Sequence, residues 1–159
     1  MSYSNEICTA IKGFLKKDEW NYQFDEENGN FTMGITLDCK IKNLEMIIDV
    51  RDDSYCVIGS IPLKADKETF VETVRLLNRI NWETLFGSFE MDESDGEVRY
   101  RLSVDCEDIS LSESVIRNSI YITAQMANKY GNALAQVIMG FSNANDAFLA
   151  AKQADKPAD

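Results

Sequence analysis

Histidine is absent from this chain of 159 residues. That removes the usual base beside a serine or cysteine nucleophile, so neither a Ser-His nor a Cys-His arrangement can be built. Zinc ligation is also disfavoured: Cys8, Cys39, Cys56 and Cys106 form no C-x-x-C pair. The cysteines read instead as small core residues, and a disulfide framework is not expected in a cytoplasmic chain of this size. Gly29, Gly34, Gly59 and Gly131 are isolated, which excludes a glycine-rich phosphate loop. No apolar run approaches the ~20 residues of a membrane span. The start, Met1 to Glu6, lacks the basic and apolar regions of a secretory signal, so a soluble cytoplasmic protein is expected. Asn30-Phe31-Thr32 matches a glycosylation acceptor only by chance in such a setting. No catalytic residue, cofactor or metal is expected.

Basic residues are scarce too. Sixteen Lys and Arg stand against 27 Asp and Glu, for a net charge of −11 and a pI near 4.5. This argues against a nucleic-acid phosphate partner and against an anionic membrane surface. The charge is uneven: Asp92 to Glu113 holds eight acids and two arginines, a net −6. Such a segment reads as a solvated face that confers solubility, or as a landing site for a basic partner segment.

What is present is ordinary globular composition, 45% hydrophobic and 27% charged. At this length a single domain buries roughly two-thirds of the surface its unfolded chain exposes. One domain is expected over residues 1–151, with a mobile polar tail at 152–159.

Helical spacing of Ile7, Ala10, Ile11, Phe14 and Leu15 predicts a helix over Asn5 to Lys17, capped by Ser4 or Asn5. Trp20, Tyr22 and Phe24 alternate, and Glu26 to Gly29 forms an Asn-Gly turn. Phe31, Met33, Ile35 and Leu37 alternate next, then Leu44, Met46, Ile48 and Val50, as half-buried strands. Tyr55 to Ile61 is another strand, expected to end at Pro62. A second helix starts near Asp66 and reaches about Ile80, with Phe70, Val71, Val74 and Leu77 as its apolar stripe and Asn78 interrupting it. Ser88 to Met91 pairs with Val98 to Val104 across an acidic turn. In the second of these strands Val98, Tyr100, Leu102 and Val104 face one way, and Glu97, Arg99, Arg101 and Ser103 the other. The last long helix spans about Glu113 to Met139, begun by a Ser110/Glu113 capping box or by Ser112, with a bend considered at Gly131. Ser142 starts a short helix through about Ala151. Sparse helices and one-faced alternation imply an α+β fold, an antiparallel sheet with helices packed on it and the Ser88–Val104 hairpin central.

Asp52-Asp53 and Asp92-Glu93-Asp95 fail calcium-loop spacing, since the glycine falls one place early and position twelve is Ser103. They read as turns. Trp82, Phe86, Phe89 and Tyr100 gather at the junction of helix and hairpin. They read as core packing, or in part as an apolar partner groove. Trp82, Phe86 and Phe89 with Asp105, Glu107 and Asp108 are the candidate partner-binding residues, for a polypeptide of basic and apolar character. The final helix carries apolar residues on more than one side, among them Ile116, Ile120, Ile122, Met126, Tyr130, Leu134, Val137 and Ile138. A homodimer covering the spare stripe is expected.

From Leu76 on, the chain resembles the YbjN family of bacterial proteins. The residues are Asn78 and Asn81, Leu85-Phe86-Gly87-Ser88-Phe89, Asp92, Gly96-Glu97-Val98-Arg99-Tyr100-Arg101 and Leu111-Ser112. Tyr130, Ala133-Leu134, Val137 and Gly140 complete the pattern. The resemblance implies a fold similar to type III secretion chaperones, often dimeric, non-catalytic, and holding an extended client segment. It also implies a role in sensory-transduction regulation, with no catalytic residue to carry over. Two functions follow as expectations: a chaperone-like or regulatory adaptor, or a small-molecule sensor with an apolar pocket between helix and sheet.

Overall fold

The computed structural model describes residues 2–155. Its elements are α1 (Asn5–Lys17), β1 (Gln23–Asp25), β2 (Asn30–Thr36), β3 (Asn43–Val50), β4 (Ser54–Lys64), α2 (Phe70–Glu83), β5 (Ser88–Met91), β6 (Glu97–Asp105), α3 (Glu113–Ile138) and α4 (Ala144–Ala154). The strands make one antiparallel sheet ordered β1-β2-β3-β4-β6-β5. The α+β architecture is as expected, but the hairpin's place is not. β6 inserts beside β4 and leaves β5 at the edge, so the Ser88–Val104 hairpin is peripheral.

Alternation decides which face the helices cover. Phe31, Ile48, Val57 and Leu102 lie side by side across four strands and are all buried. One residue along, Thr32, Ile47, Ile58 and Arg101 form the neighbouring row on the opposite, wetter face. α3 packs on β4 and β6, α1 leans on α3, and α2 flanks β5. Packing between α3 and the sheet is tight at Gly59, where an added Cβ would lie 3.0 Å from Thr123 Cγ2 and 3.1 Å from Leu44 Cδ2.

Several local expectations change. β4 continues through Pro62 to Lys64 because the register shifts between Ser60 and Lys64, and proline is tolerated at such an irregularity. Asp66 is not the cap of α2: its carboxylate accepts from Glu68 and Thr69 N–H in a preceding turn, and the helix begins at Phe70. Ser112 caps α3, accepting from Val115 N–H, and α3 runs unbroken past Gly131. Asn143, not Ser142, caps α4, which extends to Ala154. The remainder of the expected tail, 156–159, lies outside the described residues. Cys8 and Cys39 are buried as expected, whereas Cys56 and Cys106 are only half-buried.

The spare stripe anticipated on α3 is not exposed. Ile116, Ile120, Tyr130, Leu134, Val137 and Ile138 are buried, and Ile122 and Met126 are half-buried. The sheet, α1, α2 and α4 together surround this helix.

Candidate functional site

The helix with two apolar faces is α2. Thr73, Leu76, Leu77 and Ile80 point into the core. Val71, Val74, Asn78 and Trp82 fall on the opposite side, within an arc of about 80° at 3.6 residues per turn. All four are exposed, Val71 at 57% and Trp82 at 90%. The expected stripe of Phe70, Val71, Val74 and Leu77 thus splits: Leu77 is buried, Phe70 half-buried, and the two valines face solvent. Leu85, 84% exposed, and Phe86 extend the outer apolar surface beyond the helix end.

Rigid anchors hold this end of α2 in place. Asn81 Nδ2 donates to Phe89 O at 2.9 Å, and Phe89 N–H donates to Asn81 Oδ1 at 2.9 Å. Tyr100 O–H donates to Phe86 O, and burial pushes its own pKa up to about 12. Gly87 takes φ +66°, and an added Cβ would lie 2.7 Å from Arg101 O. The backbone is therefore fixed while Leu85 and Phe86 remain largely in solvent.

The acids gather elsewhere. A hollow of about 770 Å³ lies between the start of α1 and the 106–111 loop. Its rim carries Glu6, Asp52, Asp53, Glu107 and Asp108, and Ile7, Ala10, Ile109 and Leu111 supply apolar lining. One acid side chain shapes the start of the loop, Glu107 N–H donating to Asp105 Oδ1 at 3.0 Å, and a backbone bond from Cys106 N–H to the Asp53 carbonyl at 2.8 Å ties it to the β3–β4 turn. Burial, then the nearby Asp105 and Asp53, push the Cys106 thiol upward, away from thiolate. Neither Glu107 nor Asp108 joins an ion pair among the described residues. By contrast, the carboxylates of the Asp92–Gly96 turn hold that turn. Asp92 accepts from Ser94 N–H, Asp95 accepts from Glu97 N–H, and Asp95 also pairs with Lys64.

The six candidate residues therefore separate. Trp82 and Phe86 lie on the outer side of α2 and the loop after it. Phe89 packs inside, 3% exposed, with its ring 4.9 Å from Tyr100 and 6.3 Å from Tyr130. Glu107 and Asp108 line the acidic hollow, and Asp105 stands beside it. Ser88 pairs with Arg101, and Asp105 lies four residues further along β6, about 13 Å at strand rise. Sequence reasoning missed Leu85 and the outward valines. The available signal was a helix whose apolar residues exceed one face.

Among the described residues no group of three or more Cys, Asp or Glu is placed to hold a metal ion, and no helix is long and apolar enough to cross a membrane.

Comparison with known proteins bears on the fold and the family. YbjN from E. coli superposes with a TM-score of 0.57 at 9% identity, covering 87% of this chain and 93% of that one. A chain of the heterodimeric ExoU–SpcU complex from the type III secretion system of Pseudomonas aeruginosa superposes with a TM-score of 0.51 at 10% identity, covering 82% and 98%. No curated protein sequence matches. The YbjN family model, described as "Putative bacterial sensory transduction regulator", matches residues 8–136. With that match spanning most of its length, the chain belongs to the YbjN family.

Proposed function

We propose that this chain is a non-enzymatic protein-interaction module, a chaperone-like or regulatory adaptor that acts as a homodimer and holds a polypeptide segment of basic and apolar character. One observation carries the reading: the hollow beside α1 combines an acidic rim, with Glu107 and Asp108 in no ion pair among the described residues, and apolar lining from Ile7, Ile109 and Leu111. An acidic field steers a basic segment in, and apolar contact prolongs its stay. A chain of the same fold forms one half of the heterodimeric ExoU–SpcU complex, which supports a polypeptide as partner class. The sensor reading is less well supported. Its pocket would lie between helix and sheet, where packing is close at Gly59: an added Cβ would sit 3.0 Å from Thr123 Cγ2 and 3.1 Å from Leu44 Cδ2.

The test uses a fluorescent peptide alternating lysine and leucine, with a glutamate and leucine peptide as control. Binding of the basic peptide alone is expected. Reversing Asp105, Glu107 and Asp108 to lysine should weaken it mainly at low salt. Equal capture of both peptides, or capture untouched by the reversal at low salt, would reduce the acidic face to a solubility feature.

A further inference from the structure

The sheet has two edges, and they end differently. Along β5 the Asn81 side chain pairs with both the N–H and the carbonyl of Phe89. At the other edge β1 is shorter than the strand it covers. Its residues meet Asn30, Phe31 and Thr32 only, while β2 continues from Met33 to Thr36 with no strand on that side. Antiparallel alternation fixes which backbone groups point outward there. Leu37 N–H donates to Lys42 O at 2.6 Å, so the odd-numbered residues of β2 bond towards β3. Gly34 and Thr36 therefore turn their N–H and carbonyl groups to the side that β1 leaves open. Among the described residues no backbone partner meets these groups. A groove of about 810 Å³ runs along this edge. We propose that it takes an extended polypeptide segment of alternating basic and apolar residues, added antiparallel to β2 where β1 stops.

The local residues select that occupant. From Thr32 to Thr36 there is no proline and no charge, so the devices that normally block an exposed edge are missing. Gly34 costs the strand stability, and a glycine inside a strand marks a place where a second backbone comes close. A Cβ built on it meets nothing within 4 Å, so the space beside it is open. One side of the groove is apolar, with half-buried Tyr22 and Ile35 and buried Met33 and Leu44. The other side carries Glu45, the β3 partner of Gly34, which joins no ion pair among the described residues. An added strand sends alternate side chains to these two sides. Its apolar residues lie beside Ile35, and a basic residue opposite Gly34 reaches over the bare glycine toward Glu45. Backbone bonds then supply affinity, and the two sides supply specificity.

The inference rests on the protein-interaction reading but adds a second site, at the end of β2 away from the β3–β4 turn that borders the acidic hollow. Amide exchange of the full chain, read by NMR with the lysine and leucine peptide as probe, separates the two. Gly34 and Thr36 N–H should exchange fast in the chain alone and about tenfold more slowly with saturating peptide. Slowing confined to Glu107 and Asp108 would leave the hollow standing and overturn the edge site. In an antiparallel pair the residues opposite Gly34 and Thr36, here the lysines, carry the bonded N–H groups. A peptide N-methylated on its lysines should therefore lose the protection of Gly34 and Thr36, and one N-methylated on its leucines should keep it. The reverse result would overturn the antiparallel sense, and indifference to both would overturn strand addition. Gly34→Pro removes an outward N–H at an edge position where proline is tolerated. It should keep its circular dichroism and lose peptide protection at Thr36; full protection there would count against the site. Slow exchange of both amides in the chain alone that fades on dilution would assign the edge to a second copy and overturn the proposal.

Discussion

Asn81 and Phe89 are joined by two hydrogen bonds that run in opposite directions, from the Asn81 amide to Phe89 O and from Phe89 N–H back to Asn81 Oδ1, each 2.9 Å. This side chain does for the outer edge of β5 what a neighbouring strand would do, and it ties α2 to the sheet at the same point. Asn81→Ala removes both partners and leaves two part-buried backbone groups unpaired. A loss of about 1–3 kcal/mol is expected in urea unfolding. Phe89 N–H should also exchange faster with solvent, whereas unchanged protection would show that water replaces the amide at no cost.

Gly87 offers a second check on the loop that presents Leu85 and Phe86. Alanine there meets both a positive φ and the carbonyl of Arg101. Gly87→Ala should destabilise by about 1–3 kcal/mol and displace the Phe86 carbonyl from Tyr100 O–H. A thermal melt superimposable on the unmodified protein would mean the loop relaxes freely.

Acid should loosen α4 from α2. Glu72 accepts from Ala144 N–H at 2.7 Å and from Arg75 at 2.8 Å, and these two bonds, in that order of weight, hold its carboxyl below the usual glutamate range. A carboxyl lowered on folding contributes stability that is present above its unfolded pKa and lost as pH falls through the folded one. Thermal stability of the unmodified protein should therefore fall more steeply below the ordinary glutamate range than that of Glu72→Gln. Parallel acid profiles would rule out this contact as a source of acid sensitivity.

The Cys106 thiol provides a probe of the acidic hollow. Burial and the adjacent Asp105 and Asp53 disfavour thiolate, so alkylation by iodoacetamide at neutral pH should be slow. Asp53→Asn together with Asp105→Asn should accelerate it, most clearly at low salt. An equal rate in both proteins would leave burial as the whole cause.

Much of the fold was legible because its signals are local. The span of α1, Asn5–Lys17, follows from the spacing of Ile7, Ile11, Phe14 and Leu15. The inward set on β6, Val98, Tyr100 and Leu102, follows from alternation. The candidate site was legible only in part. The aromatics and acids stand out in the sequence, but closeness in sequence does not bring Phe86 and Asp105 together when an extended strand runs between them.

The sequence by itself determined the element types, their order, the lack of histidine chemistry and the family. Residue spacing and composition do not depend on what packs where. The tertiary structure alone decided that β6 lies beside β4 and that β5 is an edge. It also decided that α3's surplus apolar residues are enclosed, while those of α2, from Val71 to Trp82, are left outside. Periodicity assigns a residue to a face of its own element, but which neighbour arrives to cover that face is settled only when every element competes for the same core.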